Sequence, residues 1–190
     1  MPPHTLAHTR EAFNAFRVES VWLRTVHNTF TALYHSGDGT ETLLKRIAPA
    51  FFGDLNSMLI EYWVLIVCRL TDPSVSNGRE NLTVKNLLEC LQELNLHTAS
   101  IQVEADGIQV YRSVLNTARN RVVSHADKDT FLNPAVLGEH SNSELDEFLN
   151  HLQKFNNLVG DALGEGPLDF STTSGPGDVF ELLRVLKNAP

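Results

Sequence analysis

The chain has 190 residues, of which 42% are hydrophobic and only 8 are proline, and it carries a formal net charge of −8. That is enough apolar material for one domain with a sizeable core, and it argues against disorder. The acidic balance argues against a general nucleic-acid-binding module, which depends on a basic surface that releases phosphate counterions, but it leaves room for a locally positive site.

Met1-Pro2-Pro3-His4 lacks a basic region followed by an apolar run, so no signal peptide is expected. His4 and His8 are four apart but have no cysteine nearby and only Glu11 as an acidic neighbour, so they read as solvated surface residues. From about Thr9 to Tyr34, Phe13, Phe16, Val21, Leu23, Val26, Phe30 and Leu33 recur mostly at helical intervals, which predicts a long first helix. Ser36-Gly37-Asp38-Gly39 stops it, Thr40-Glu41 opens a second helical segment through Ile47, and Pro49 kinks that segment or starts the next helix.

Phe51, Leu55, Leu59, Tyr62, Trp63, Ile66, Val67 and Leu70 then make an apolar surface wider than one stripe, as expected for a central helix. Its densest stretch, Met58 to Cys68, is interrupted by Glu61 and is shorter than the roughly 20 residues of a bilayer span. It reads as a core helix, and no membrane association is expected. Glu61 on so apolar a helix calls for a partner, either in a structural ion pair or as the group that orients a catalytic arginine. Cys68 and Cys90 both lie in apolar stretches and read as small buried hydrophobes in a reducing cytoplasm.

Pro73 to Glu80 is a turn between helices, and Asn81 or Thr83 caps the helix carrying Val84, Leu87, Leu88, Leu91 and Leu94. Asn95 to Val103 is a weaker connection, and Gly107 blurs where the following helix starts. That helix carries Ile108, Tyr111, Leu115, Ala118 and Val122 on one face. After an irregular crossing, Ser143-Glu144 restarts a helix with Leu145, Phe148, Leu149, Leu152, Phe155, Leu158, Val159 and Leu163, which Gly164-Glu165-Gly166-Pro167 ends. Leu168 to Gly177 is expected to be an exposed connection. A short helix from Asp178 to Lys187 cannot be stable alone and must dock. The expected organisation is all-α, with a helical bundle over 1–164 and an exposed connection plus docking helix over 165–190.

The functional cluster is Ala118-Arg119-Asn120-Arg121-Val122-Val123-Ser124-His125-Ala126-Asp127, at the C-terminal end of the Ile108 helix. Cations also gather at such ends simply to satisfy the last carbonyls and the helix dipole. On an ideal helix Arg121 and His125 share a face, whereas Arg119 and His125 stand roughly 120° apart. Loosening of the helix near Ser124 makes Arg119 equally available, so spacing alone leaves the essential arginine open.

Arg119-Asn120, four residues and His125 resemble the R-polar-x-x-x-x-H signature of the HEPN superfamily of helical nucleases and nucleotide-binding proteins. A second block, Arg69-Leu70-Thr71-Asp72-Pro73 followed by Glu80-Asn81-Leu82-Thr83, resembles the abortive-infection, AbiU-like branch. The same block also reads structurally, with Arg69, Asp72 and Asn81 knitting the helix junction by hydrogen bonds.

The resemblance implies a HEPN-like bundle and a metal-independent endoribonuclease of a phage-defence or toxin type. His125 would be acid/base, Arg119 the phosphate stabiliser, and Asn120 an orienting or substrate-contacting group. Arg121, Ser124 and Lys128 join as substrate-binding residues. One motif offers a single imidazole where both acid and base are needed, so the resemblance implies a homodimer with a composite Arg/His site. RNA is the implied substrate and an antitoxin protein the corresponding further partner. No Gly-rich phosphate loop, zinc ligand set or nucleophile elbow occurs, so no metal or cofactor is expected. The alternative is a non-catalytic HEPN module binding a nucleotide or a protein, and a third reading is a helical dimerisation domain.

Overall fold

The computed structural model describes residues 5–118, 141–172 and 175–188. The described helices are α1 (Leu6–Tyr34), α2 (Asp38–Ile47), α3 (Pro49–Thr71), α4 (Val84–Glu93), α5 (Ala99–Ala118), α6 (Asn142–Leu163) and α7 (Val179–Lys187). Their starts follow local chemistry. The side chains of Thr5, Thr83 and Asp178 accept backbone N–H groups of the first turns of α1, α4 and α7. Ser141 and Glu144 form a complete capping box at the start of α6, and Gly164 ends that helix in the left-handed conformation. Pro49 starts α3 rather than kinking α2.

The chain is an all-α bundle as the periodicity predicts, with a C-terminal short helix docked on it. α5 and α6 run antiparallel: Tyr111 stacks on Phe148 at 4.6 Å, and two turns earlier on α5 Glu104 Oε2 lies 2.6 Å from His151 Nδ1. α1 and α3 are also antiparallel, as the His27–Trp63 ring contact at 5.5 Å and the Tyr34 hydroxyl donating to the Phe52 carbonyl at 2.7 Å require. Trp63 meets Phe148 edge-on at 6.0 Å, so α3, α5 and α6 converge on one aromatic centre. Phe13, Phe16, Leu23, Ile66, Leu87, Ile108, Leu115 and Phe155 complete the dry interior. Burying each such side chain is worth about 1.5–3 kcal/mol against the entropy of ordering it.

Several expectations need correction. α2 begins at Asp38, so Gly39 lies inside a helix rather than in the turn. Asn77 and Gly78 both have positive φ and close a two-residue antiparallel pairing of β1 (Val75–Ser76) with β2 (Arg79–Glu80), a small hairpin where only a turn was expected. α5 starts at Ala99, with Thr98 Oγ1 accepting the Ile101 amide, so Gly107 sits mid-helix and marks no boundary.

On α3 it is Phe52 that is buried, whereas Phe51 is 60% exposed. Glu61 is exposed and so needs no buried partner. α3 extends the Met58–Cys68 stretch to 23 residues, long and apolar enough by length and composition to cross a membrane; its Trp63, Val64, Ile66, Val67 and Leu70 are built into the core.

The segment after α6 is not simply exposed. Phe170 is buried, and α1 holds the segment through arginines spaced at seven residues. Arg10 donates to the Leu163 carbonyl at 2.7 Å, Arg17 to the Gly166 carbonyl at 2.7 Å, and Arg24 to the Ser171 carbonyl at 3.0 Å. Asn28, one turn beyond Arg24, donates to the same Ser171 carbonyl at 3.1 Å. α7 then buries Leu183 in a second small core with Ala32, Leu33, Leu44 and Phe52.

Candidate functional site

Arg119, Asn120, Arg121, Ser124, His125 and Lys128 lie outside the described residues. What the structure describes is the scaffold at either side of them. The chain leaves at Ala118, the last residue of α5, and re-enters at Ser141, the cap of α6. Because α5 and α6 are antiparallel, both points belong to the same end of the helix pair. Tyr111 and Leu115, the last two core anchors of α5 with described side chains, are 2% and 1% exposed. Burial pushes the Tyr111 phenol up to about 12, which makes it a packing group and not a proton donor near neutrality.

Beside the start of α6 opens a cavity of about 320 Å³. Its walls come from α1, α3 and the first turn of α6, and include His27, Phe30, His35, Ile60, Trp63 and Asn142. The aromatic groups touch one another: His27 lies against Trp63, and Phe30 against His35 at 5.1 Å between ring centres. Burial pushes the His27 pKa down; the contact with Asn28 Oδ1 at 3.4 Å acts against this, the Arg24 charge adds to it, Asp146 opposes it and His35 adds to it. His27 is therefore a neutral imidazole around pH 7, offering one donor and one acceptor.

None of this cavity was read from the sequence. Its signals were a histidine between the apolar positions Val26 and Phe30, to which no role was given, and a tryptophan on α3 absorbed into the core pattern.

The second sequence block forms a separate polar recess of about 360 Å³ lined by Glu19, Arg69, Asp72, Glu80 and Asn81. Arg69 lies 3.6 Å from Glu19 on α1, and Asn81 Nδ2 donates to the Pro73 carbonyl at 2.9 Å. Arg112 of α5 reaches over to donate to Asp72 Oδ1 at 3.0 Å and to the Thr71 carbonyl. The block thus ties the end of α3 to α1, α5 and the hairpin, a wider set of partners than the junction alone. Among the described residues no group of three metal-ligating side chains occurs, and His8 is exposed on α1.

The HEPN_AbiU2 family, AbiU2, matches residues 6–181, nearly the whole chain and both sequence blocks. The chain belongs to the AbiU2 family of HEPN proteins. No curated protein and no solved structure matches it. AbiU2 membership agrees with the all-α bundle and accounts for the two resembling blocks as parts of one abortive-infection, HEPN-type protein.

Proposed function

We propose that this AbiU2-family protein is a metal-independent endoribonuclease acting in phage defence in the cytoplasm, with a composite Arg/His site at a homodimer cleft. The observation that carries the proposal is the family match across residues 6–181, which takes in Arg119, Asn120 and His125 at the signature spacing. In the proposed reaction a ribose 2′-hydroxyl attacks the adjacent phosphorus. One imidazole takes the hydroxyl proton, the leaving 5′-oxygen receives a proton from the other, and Arg119 stabilises the charge gathering on the phosphoryl oxygens. The products carry 2′,3′-cyclic phosphate and 5′-hydroxyl ends. Exposed Val18, Trp22, Met58 and Leu65 on α1 and α3 support a protein-binding face suited to a second copy.

The net charge of −8 favours the second reading, a non-catalytic HEPN module that binds a nucleotide or a protein. The deciding experiment compares highly purified wild type and His125→Ala on varied RNAs with and without a chelator. The nuclease reading expects cleavage that His125→Ala lowers by about a hundredfold to a thousandfold and that chelation leaves unchanged. Equal trace cleavage by both proteins would end it.

A further inference from the structure

The cavity walled by His27, Phe30, His35, Ile60, Trp63 and Asn142 combines three properties seldom found together in a mere packing defect. Its walls carry the rings of Phe30 and Trp63 among aliphatic side chains such as Val26, Leu59 and Leu145, it has two imidazoles and one amide at its edge, and its described lining contains no Lys, Arg, Asp or Glu. Among the described residues a phosphate would find no cation in that lining. The polar groups sit at its rim, where His35 and Asn142 are exposed and His27 Nδ1 faces Asn28 Oδ1, so a guest with an apolar face and hydrogen-bonding edges matches the lining more fully than a purely aliphatic one, which would use the walls alone. A flat, uncharged, aromatic group with donors and acceptors around its rim fits all three properties. At about 320 Å³ the space is at the small end of ligand sites, room for one such ring system and not for a length of strand.

Location narrows the ligand further. The cavity borders the first turn of α6, at the same end of the α5–α6 pair as Ala118, the residue immediately before Arg119. We propose that this cavity is a pocket for a single unpaired nucleobase, which stacks on the His27–Trp63–Phe30 wall and is read at its edge by the imidazoles and Asn142. Single-stranded RNA is recognised by such splayed bases, stacked on aromatic side chains and hydrogen-bonded at their rims. The proposal rests on the reading that the protein acts on RNA, and it gives that reading a base subsite distinct from the phosphate-handling arginine.

The chain has two tryptophans, Trp22 and Trp63, and only Trp63 lines the cavity. Trp22→Phe therefore leaves Trp63 as the sole indole reporter; Trp22 is 47% exposed but gives up its Nε1 hydrogen bond to the Tyr62 hydroxyl, so circular dichroism and sedimentation first check that fold and oligomeric state are kept. Titrating this protein with adenosine, guanosine, cytidine and uridine, with absorbance correction, is expected to quench Trp63 saturably. For at least one nucleoside the midpoint should be on the order of 1 mM, as a single stacked base warrants. Ribose 5-phosphate, which has no base, should neither quench nor compete. Ile60→Phe, which fills the cavity from a partly exposed position, and Asn142→Ala, which removes an edge contact from an exposed one, should each weaken binding by about tenfold.

Absence of saturable quenching up to about 20 mM would overturn the pocket. So would quenching that ribose 5-phosphate reproduces, or that Ile60→Phe and Asn142→Ala, folded by circular dichroism, both leave intact. Occupation of the cavity by a side chain of this chain or of a second copy would appear as the first of these results. The readout is independent of cleavage. His125-dependent cleavage without nucleoside binding removes the pocket and keeps the nuclease, whereas nucleoside binding without cleavage keeps the pocket and removes the nuclease.

Discussion

The imidazole of His151 lies directly against the bare Cα of Gly107: a Cβ built at Gly107 would stand 2.5 Å from three atoms of the ring. The same ring holds Glu104 at 2.6 Å, one turn back on α5, so the fit of α6 against α5 at this point depends on a residue without a side chain. In an unpacked helix Gly→Ala gains about 1 kcal/mol. Here the ring must move and surrender Glu104, and overpacking of this kind costs about 1–3 kcal/mol. Gly107→Ala is therefore expected to lower Tm by about 2–6 °C in a thermal melt. Gly107→Ala combined with His151→Ala should recover most of the loss, and a stabilised Gly107→Ala single variant would show the contact to be slack.

Gly160 offers a second test at the α1–α6 crossing. A Cβ there would meet the Arg17 guanidinium and, at 2.6 Å, the Gly166 carbonyl that Arg17 holds. One of the two obstacles is backbone, which cannot swing aside as a side-chain tip can. Gly160→Ala is expected to lose about 2–3 kcal/mol in urea denaturation, more than Gly107→Ala.

Arg112 closes the C-terminal end of α3 by donating to the Thr71 carbonyl and to Asp72, with 15% and 25% of the Arg112 and Asp72 side chains exposed. Removing it takes a charged donor from the Thr71 carbonyl, which keeps the longer 3.4 Å contact from Gln109 Nε2, and from the half-buried Asp72 carboxylate. Arg112→Ala should cost about 2–3 kcal/mol, and Arg112→Lys should restore less than half of it, because an ammonium cannot span both acceptors with the same planar fork. The urea midpoints of the three proteins check this.

Burial lowers the pKa of His27 below its ordinary value of 6.5, so the unfolded chain binds the proton more readily than the folded one. The stability tied to His27 is thus fully present above about pH 6.5 and is lost as pH falls through the lower folded value. Arg24 and His35 oppose protonation and Asp146 favours it. The urea midpoint is expected to fall between pH 7.5 and 5.5, and His27→Gln should flatten that limb; an equal fall in both proteins would assign it to other groups.

For cleavage, the family signature ranks Arg119 above Arg121, against the ideal helix geometry that pairs Arg121 with His125. Arg119→Ala should match His125→Ala in its loss of rate, and Arg121→Ala should lose less than about tenfold. Reversal of that order would mean that the helix continues through the motif and that Arg121 is the phosphate ligand.

Helices were legible because their buried faces repeat at three and four residues: Ile108, Tyr111 and Leu115, or Leu152, Phe155 and Val159, could only face one way. What escaped was whatever depends on a neighbour distant in sequence. Gly107 looked like a helix weakness because His151 was not yet beside it. Phe51 and Phe52 are equivalent as letters, and only the packing of α2 and α7 selects Phe52. Arg10, Arg17 and Arg24 drew no expectation, since their acceptors are backbone carbonyls, which leave no trace in composition. The HEPN signature was legible as a pattern, yet the cavity next to the start of α6 was not, for its walls come from three helices, each of which reads separately as core.

The arginine row on α1 also bears on how the chain is made. Arg10, Arg17 and Arg24 emerge from the ribosome early, but the carbonyls they hold lie 153, 149 and 147 residues downstream. At about 5–20 residues per second, α1 exists for roughly 6–26 s before any of these acceptors has been synthesised. For most of that interval its inner face, with Phe13 and Phe16, has neither α6 nor the returning segment to cover it. The nascent chain is thus a natural client for chaperones that shield apolar helices until the segment after α6 can be laced onto α1.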